Sequence, residues 1–146
     1  MDSGRIRVGI IGAGGWAKYG HIPALEALEE FEVVAVSNRK MATAEGTAKQ
    51  FHLKHAFGDE QSLINHPDVD LVAVVAPAPE HARLVKQAIA AGKDVYCEWP
   101  LTTSTADSEE LLSLAGQGRE AHRRSATSYG AERALYPRSG QARVRR

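Results

Sequence analysis

IRVGIIGAGGWA, residues 6–17, decides the fold. Its first half, Ile6 to Ile11, is short, apolar and rich in β-branched residues. Such a run suits a strand buried on both faces of a parallel sheet. Its second half, Gly12-Ala13-Gly14-Gly15-Trp16-Ala17, fits G-x-G-x-x-G/A with Ala17 in the third place. In that spacing the first glycine allows a tight turn, the second lets a pyrophosphate approach bare backbone, and the small third residue packs helix on strand. A glycine turn also occurs as a purely structural bend. Here it lies between a strand and a helix, at the head of a βαβ unit, and that context points to a bound dinucleotide.

Outward from this turn, apolar runs and helical patterns alternate about five times. Helical spacing follows Trp16 to about Glu30, with Ile22, Ala24, Leu25 and Leu28 on one side and Pro23 starting a second piece. FEVVAVSN (31–38) reads as a strand, ATAEGTAKQFH as a helix and KHAF as a short strand. DEQSLINHP reads as a helix capped by Asp59 and stopped before Pro67. DLVAVVAP (70–77) is a third strongly apolar strand. PEHARLVKQAIAAGK is a helix with apolar positions at 82, 84, 85, 88 and 89, closed by Gly92. DVYCE (94–98) is a strand, and STADSEELLSLAG a helix with Ser104 or Thr105 as N-cap. Strands alternating with crossover helices predict an α/β fold, a doubly wound parallel sheet of the Rossmann type.

The chain of 146 residues suits one domain. Its formal charge is zero, which gives no overall field toward nucleic acid or an anionic membrane, and neither is expected as a partner. That zero conceals an asymmetry, because residues 119–146 hold eight Arg against two Glu. From Gly118 the alternation stops, and Leu135 and Val144 are the only large aliphatics of the remainder. The expected division is therefore a dinucleotide-binding domain over 1–117 and a disordered basic tail over 118–146.

Cys97, the only cysteine, excludes an intrachain disulfide and reads as a small buried hydrophobe. With no apolar leader and no run of about 20 apolar residues, the chain is expected to be cytoplasmic. His21, His52, His55, His66 and His122 show no metal-like clustering with cysteine or acids along the sequence, so no metal site is expected.

The end of the second strand selects the cofactor. A carboxylate there accepts the ribose 2′-OH of NAD, but this chain has Ser37-Asn38-Arg39-Lys40. Arg39 and Ser37 can hold a 2′-phosphate by a charged fork and a hydroxyl, which favours NADP, with NAD as the alternative. The competing reading of Arg39 is a solvated basic turn.

Residues 5–116 resemble the N-terminal half of the Gfo/Idh/MocA family of nicotinamide-dependent oxidoreductases. The resemblance rests on GIIGAGGWA followed by HIPAL, and on the block APAPEHARLVKQAIAAGKDVYCEWPL. The family follows its fourth strand with T-P-N-x-x-H and its fifth with E-K-P. Here Pro77 and His81 match, but Ala76 and Ala78 stand at the Thr and Asn positions. Glu98 and Pro100 match, but Trp99 stands at the lysine position.

The resemblance implies that Gly12, Ala13, Gly14, Gly15, Trp16, Ser37, Asn38, Arg39, Ala76, Pro77, His81, Glu98, Trp99 and Pro100 surround the cofactor. It implies that His81 faces the nicotinamide unless it serves as a structural histidine, and that His21 lines the same pocket. Trp16 otherwise reads as packing. The family's lysine assists proton and hydride transfer. Trp99 has one N–H donor and no titratable group near neutral pH, so no catalytic residue is assigned.

E-W-P-L also resembles the galactose-repressor branch of the family, which uses the dinucleotide as a regulatory ligand. The implied functions are an oxidoreductase acting on a sugar, polyol or aldehyde, a dinucleotide sensor acting on a protein partner, or an inactive fragment. The family's C-terminal domain has no counterpart here, and a frameshift or retained intron near residue 117 is the expected reason. An uncovered sheet face or edge predicts self-association.

Overall fold

The computed structural model of the chain describes residues 4–126, with side-chain environments through residue 117. Five parallel strands form one sheet: β1 (Ile6–Ile11), β2 (Phe31–Ser37), β3 (His55–Phe57), β4 (Leu71–Val74) and β5 (Asp94–Cys97). Their spatial order is β3-β2-β1-β4-β5. The helices are α1 (Ile22–Glu26), α2 (Met41–Gln50), α3 (Glu60–Ile64), α4 (Ala78–Ala90) and α5 (Thr105–Ala126). This is the predicted doubly wound α/β architecture.

Strand parity explains the two-sided core. Val8 and Ile10 of β1 join Ala73 and Val75 on one face, against Ala17 and Ile22. Ile11 joins Val72 and Val74 on the other, against Leu63, Leu84, Val85, Ala88 and Leu111 from α3, α4 and α5. A continuous apolar run is what a strand covered on both faces requires. The central strands therefore cannot slip register without exposing one of these sets.

Local signals act where they are written. Asp59 caps α3, its carboxylate accepting the Ser62 N–H at 2.7 Å. Ser104 caps α5 through its hydroxyl and the Asp107 N–H, at 3.2 Å. Gly92, at φ 71°, closes α4 with the Gly92 N–H on Ile89 O and the Lys93 N–H on Ala88 O.

Two expectations need correction. The helix after the glycine turn opens at Gly15, passes through a π-helical stretch (Ala17–His21) and ends at Glu26, short of Glu30. Ile22 is buried and Leu25 half-buried, but Ala24 and Leu28 are exposed. A wider π turn rotates later residues off the 3.6-residue stripe, so the predicted face does not persist. Second, α5 continues to Ala126, past the predicted boundary at residue 117. The backbone stays helical without an apolar stripe there. The expected disorder of 127–146 lies outside the described residues.

Cys97 is half-buried at the end of β5, and burial with the neighbouring Glu98 charge pushes its thiol up to about 11. A thiol so seldom ionised is a poor nucleophile. At pH 7, iodoacetamide should modify it on the order of a hundredfold more slowly than free cysteine. Mass spectrometry of a timed alkylation checks this.

Candidate functional site

In parallel sheets a crevice opens at the carboxyl ends of the strands where their order reverses, here between β1 and β4. The crevice holds two clefts. The first, about 240 Å³, is lined by Gly12, Gly14, Ser37, Asn38, Arg39, Ala76 and Pro77, with Glu60, Glu80 and Arg83 at its rim. The second, about 550 Å³ and more open, is lined by Trp16, Gly20, His21, Ala24, Tyr96, Glu98 and Trp99.

The glycine turn is shaped from below. The Gly12 and Ala13 N–H groups both donate to Ser37 O, at 3.0 and 3.2 Å. Gly12 sits at φ 107°, and a Cβ on it would lie 2.0 Å from Val75 O. Glycine is therefore obligatory at this point. A Cβ on Gly14 would meet nothing within 4 Å, and Gly14 lines the first cleft. The first helical bond runs from the Lys18 N–H to Gly14 O at 3.2 Å, which leaves the earlier first-turn amides facing outward. Open amides at a positive helix end suit an anion.

Ala13 is wholly buried against Val36 and Ala48, so its side chain supports the turn and lines no cleft. Arg39 lines the first cleft and forms no ion pair among the described residues. The nearby Arg83 differs, since it holds Glu60 at 2.7 Å and Glu80 at 2.6 Å. The hydrogen bonds that Arg83 donates to Glu80 and Glu60 push its pKa up. Arg39 is thus the lining cation without a carboxylate partner.

Trp16 is 68% exposed and Trp99 90% exposed, so neither packs in the core of this unit. The expected packing role of Trp16 does not hold; its indole meets the His21 ring edge-on at 6.5 Å. His21 Nε2 pairs with Glu98 Oε1 at 2.7 Å, and both side chains are largely buried. This bond ties the helix after the glycine turn to the end of β5. His21 itself lines the second cleft. No Lys or Arg lines the second cleft among the described residues.

His81 lies where the structural alternative would put it. It is 1% exposed and lines neither cleft. Its Nδ1 lies 2.7 Å from Pro100 O and its Nε2 2.7 Å from Ala76 O. Both partners are acceptors, so the ring braces the β4–α4 turn against the Trp99–Pro100 loop, whose peptide bond is cis. A neutral imidazole donates from one nitrogen and satisfies one of the two carbonyls. Both ring nitrogens therefore face main-chain carbonyls of this unit.

Sequence reading missed Glu60, Glu80, Arg83 and Tyr96. The first three carry a usable signal, an acid and Arg at i, i+3 on α4 with a second acid in the first turn of α3. Tyr96 is marked by the alternation of β5, whose Asp94 and Tyr96 point outward. His55, His66 and Asp68, separated along the chain, bring possible ligand atoms within 4.8 Å of one another.

Residues 6–123 match the model of the oxidoreductase family with an NAD-binding Rossmann fold, GFO_IDH_MocA. A dTDP-3,4-didehydro-2,6-dideoxy-alpha-D-glucose 3-reductase of Saccharopolyspora spinosa is 38% identical over 75% of this chain and 33% of its own length. The galactose/lactose metabolism regulatory protein GAL80 of Kluyveromyces lactis is 32% identical over 77% of this chain and 27% of its own. Among solved structures, KijD10, a 3-ketoreductase from Actinomadura kijaniata with NADP and TDP-benzene, aligns at TM-score 0.74 and 37% identity. That alignment covers 78% of this chain and 35% of KijD10. The chain spans about a third of the length of the curated relatives it matches. No helix among the described residues is long and apolar enough to cross a membrane. A glycine turn at the switch point of a five-stranded parallel sheet agrees with these matches: the chain belongs to the Gfo/Idh/MocA oxidoreductase family.

Proposed function

We propose that this chain binds NADP in the first cleft, and that Trp99 removes the lysine-dependent step on which hydride transfer in the family relies. The observation that carries the reading is the first cleft itself. It combines a turn that only glycine can make, open helix-end amides, and Arg39 without a carboxylate partner at the end of β2. The pyrophosphate would lie on the Gly14–Trp16 amides, and Arg39 would hold the 2′-phosphate. The nicotinamide end would enter the second cleft, between Trp16 and Trp99. The bound dinucleotide supplies hydride chemistry. The chain's own residues orient it and exclude water.

A sugar or related carbonyl compound is the proposed substrate class for the oxidoreductase reading, supported by the sugar reductases among its relatives. The second reading, a dinucleotide sensor acting on a protein partner, is favoured by Trp99 and by the likeness to GAL80. Trp99 can stack on a ring but cannot shuttle a proton.

One titration tests both. Trp16 and Trp99 both line the second cleft, so their fluorescence reports dinucleotide binding. NADPH should bind about tenfold or more tightly than NADH, and Arg39→Ala should bring the two within about twofold, as expected on losing one charge-assisted fork. Equal affinities in the unaltered protein would remove the NADP assignment. Binding without oxidation across a panel of sugars and aldehydes supports the sensor, whereas steady turnover supports the enzyme. Trp99→Lys alone is expected to create no turnover, and measurable activity in it would place the defect in that side chain only.

A further inference from the structure

We propose that His55, His66 and Asp68 form a binding site for one divalent transition metal of the zinc class. Nothing in the dinucleotide reading uses these residues, and they line neither cleft. His55 opens β3, while His66 and Asp68 lie in the connection between α3 and β4. One ligand atom from each lies within 4.8 Å of the other two, and all three residues are half-buried. Two imidazoles and a carboxylate are a donor set that suits zinc, nickel or copper, and three protein ligands leave a fourth position for water.

The ligands are already oriented. His55 Nε2 stands 2.9 Å from Asp68 Oδ2. The His55 and His66 rings lie 4.2 Å apart, and the Phe57 ring packs against both. His66 Nδ1 accepts the Asp68 N–H at 3.2 Å, so that nitrogen already carries a lone pair. Metal binding there gives up one long bond, whose amide water can take over. At His55, loading moves the ring proton to Nδ1 and frees Nε2.

Arg7 is the main opposing feature. Its Nη1 lies 3.3 Å from Asp68 Oδ1. The same guanidinium, however, makes two shorter bonds to Asp70, at 2.9 and 2.7 Å. Asp70 thus takes the stronger share of the Arg7 charge. The weaker contact fixes Asp68 through Oδ1 and leaves Oδ2 for the metal, as outer partners do for ligating carboxylates. Lys93 donates to His66 O and Val69 O, and so adds a second cation close by. Affinity should therefore be moderate rather than tight.

The metal would tie the three-residue edge strand β3 to the chain entering β4, and would stabilise the native state by mass action. Calorimetric titration of the full chain with zinc chloride should give one saturable site, and its thermal midpoint should rise with zinc. Cobalt(II) should develop visible absorption from imidazole and carboxylate ligation. His55→Gln and Asp68→Asn should each weaken zinc binding at least tenfold and remove the thermal shift. NADPH affinity should not change, which separates failure here from failure of the dinucleotide reading. His66→Gln provides an independent check if either variant folds poorly by circular dichroism. No saturable binding below millimolar zinc, or unchanged binding in folded variants, overturns the site.

Discussion

Gly12→Ala is expected to destabilise the protein by about 4 kcal/mol, while Gly14→Ala, two residues on, leaves stability within about 0.5 kcal/mol. The reason is steric. A Cβ at position 12 would stand 2.0 Å from Val75 O and 2.8 Å from its carbonyl carbon, on backbone at φ 107°. Moving the end of β4 away relieves the clash but leaves an alanine in left-handed backbone, so the displacement and the strain, each about 1–3 kcal/mol, add to a large part of a domain's usual margin of about 5–15. At position 14 the new methyl meets no atom of the protein. Gly14 lines the cleft in which the pyrophosphate is proposed to lie, so NADPH affinity should fall at least about tenfold with the urea midpoint unchanged. Undiminished NADPH binding by Gly14→Ala would contradict the placement of the phosphates.

His81→Ala is the second large effect, at about 2–4 kcal/mol. The ring is buried with each nitrogen 2.7 Å from a carbonyl oxygen, Pro100 O and Ala76 O, so truncation leaves a void and strands the carbonyl that the ring N–H had satisfied. These carbonyls belong to the loops that border the two clefts. The variant should therefore bind NADPH more weakly as well as unfold earlier in urea. His81→Gln keeps an amide donor and should recover part of the loss. A His81→Ala protein with unaltered urea midpoint would show that the brace contributes nothing.

Much of the fold was legible because its signals are local. Five apolar runs gave five strands, and Asp59, Ser104 and Gly92 each stand at a helix end. The first cleft was legible for the same reason: Gly12, Gly14, Ser37, Asn38, Arg39, Ala76 and Pro77 come from three strand ends in one parallel sheet. What escaped depends on tertiary contact. Nothing near His81 in the sequence announces Pro100 O, 19 residues away. His55 and His66 look isolated until the sheet sets β3 beside the α3–β4 connection. Leu28 belongs to a helical pattern on paper, yet the helix ends at Glu26 and leaves it exposed. The extent of α5 escaped too, because a helix can continue without an apolar stripe to betray it.

The two amides of Gly12 and Ala13 that converge on Ser37 O bear on kinetics as well as shape. They hold the loop from the inside, with no call on any ligand atom. The ordering entropy of the turn is thus met during folding and not at each encounter with a dinucleotide. Association should then show a single fast phase, accelerated at low ionic strength by the Arg39 charge, with no slow rearrangement behind it. Differences in affinity between dinucleotides should reside in how quickly they leave.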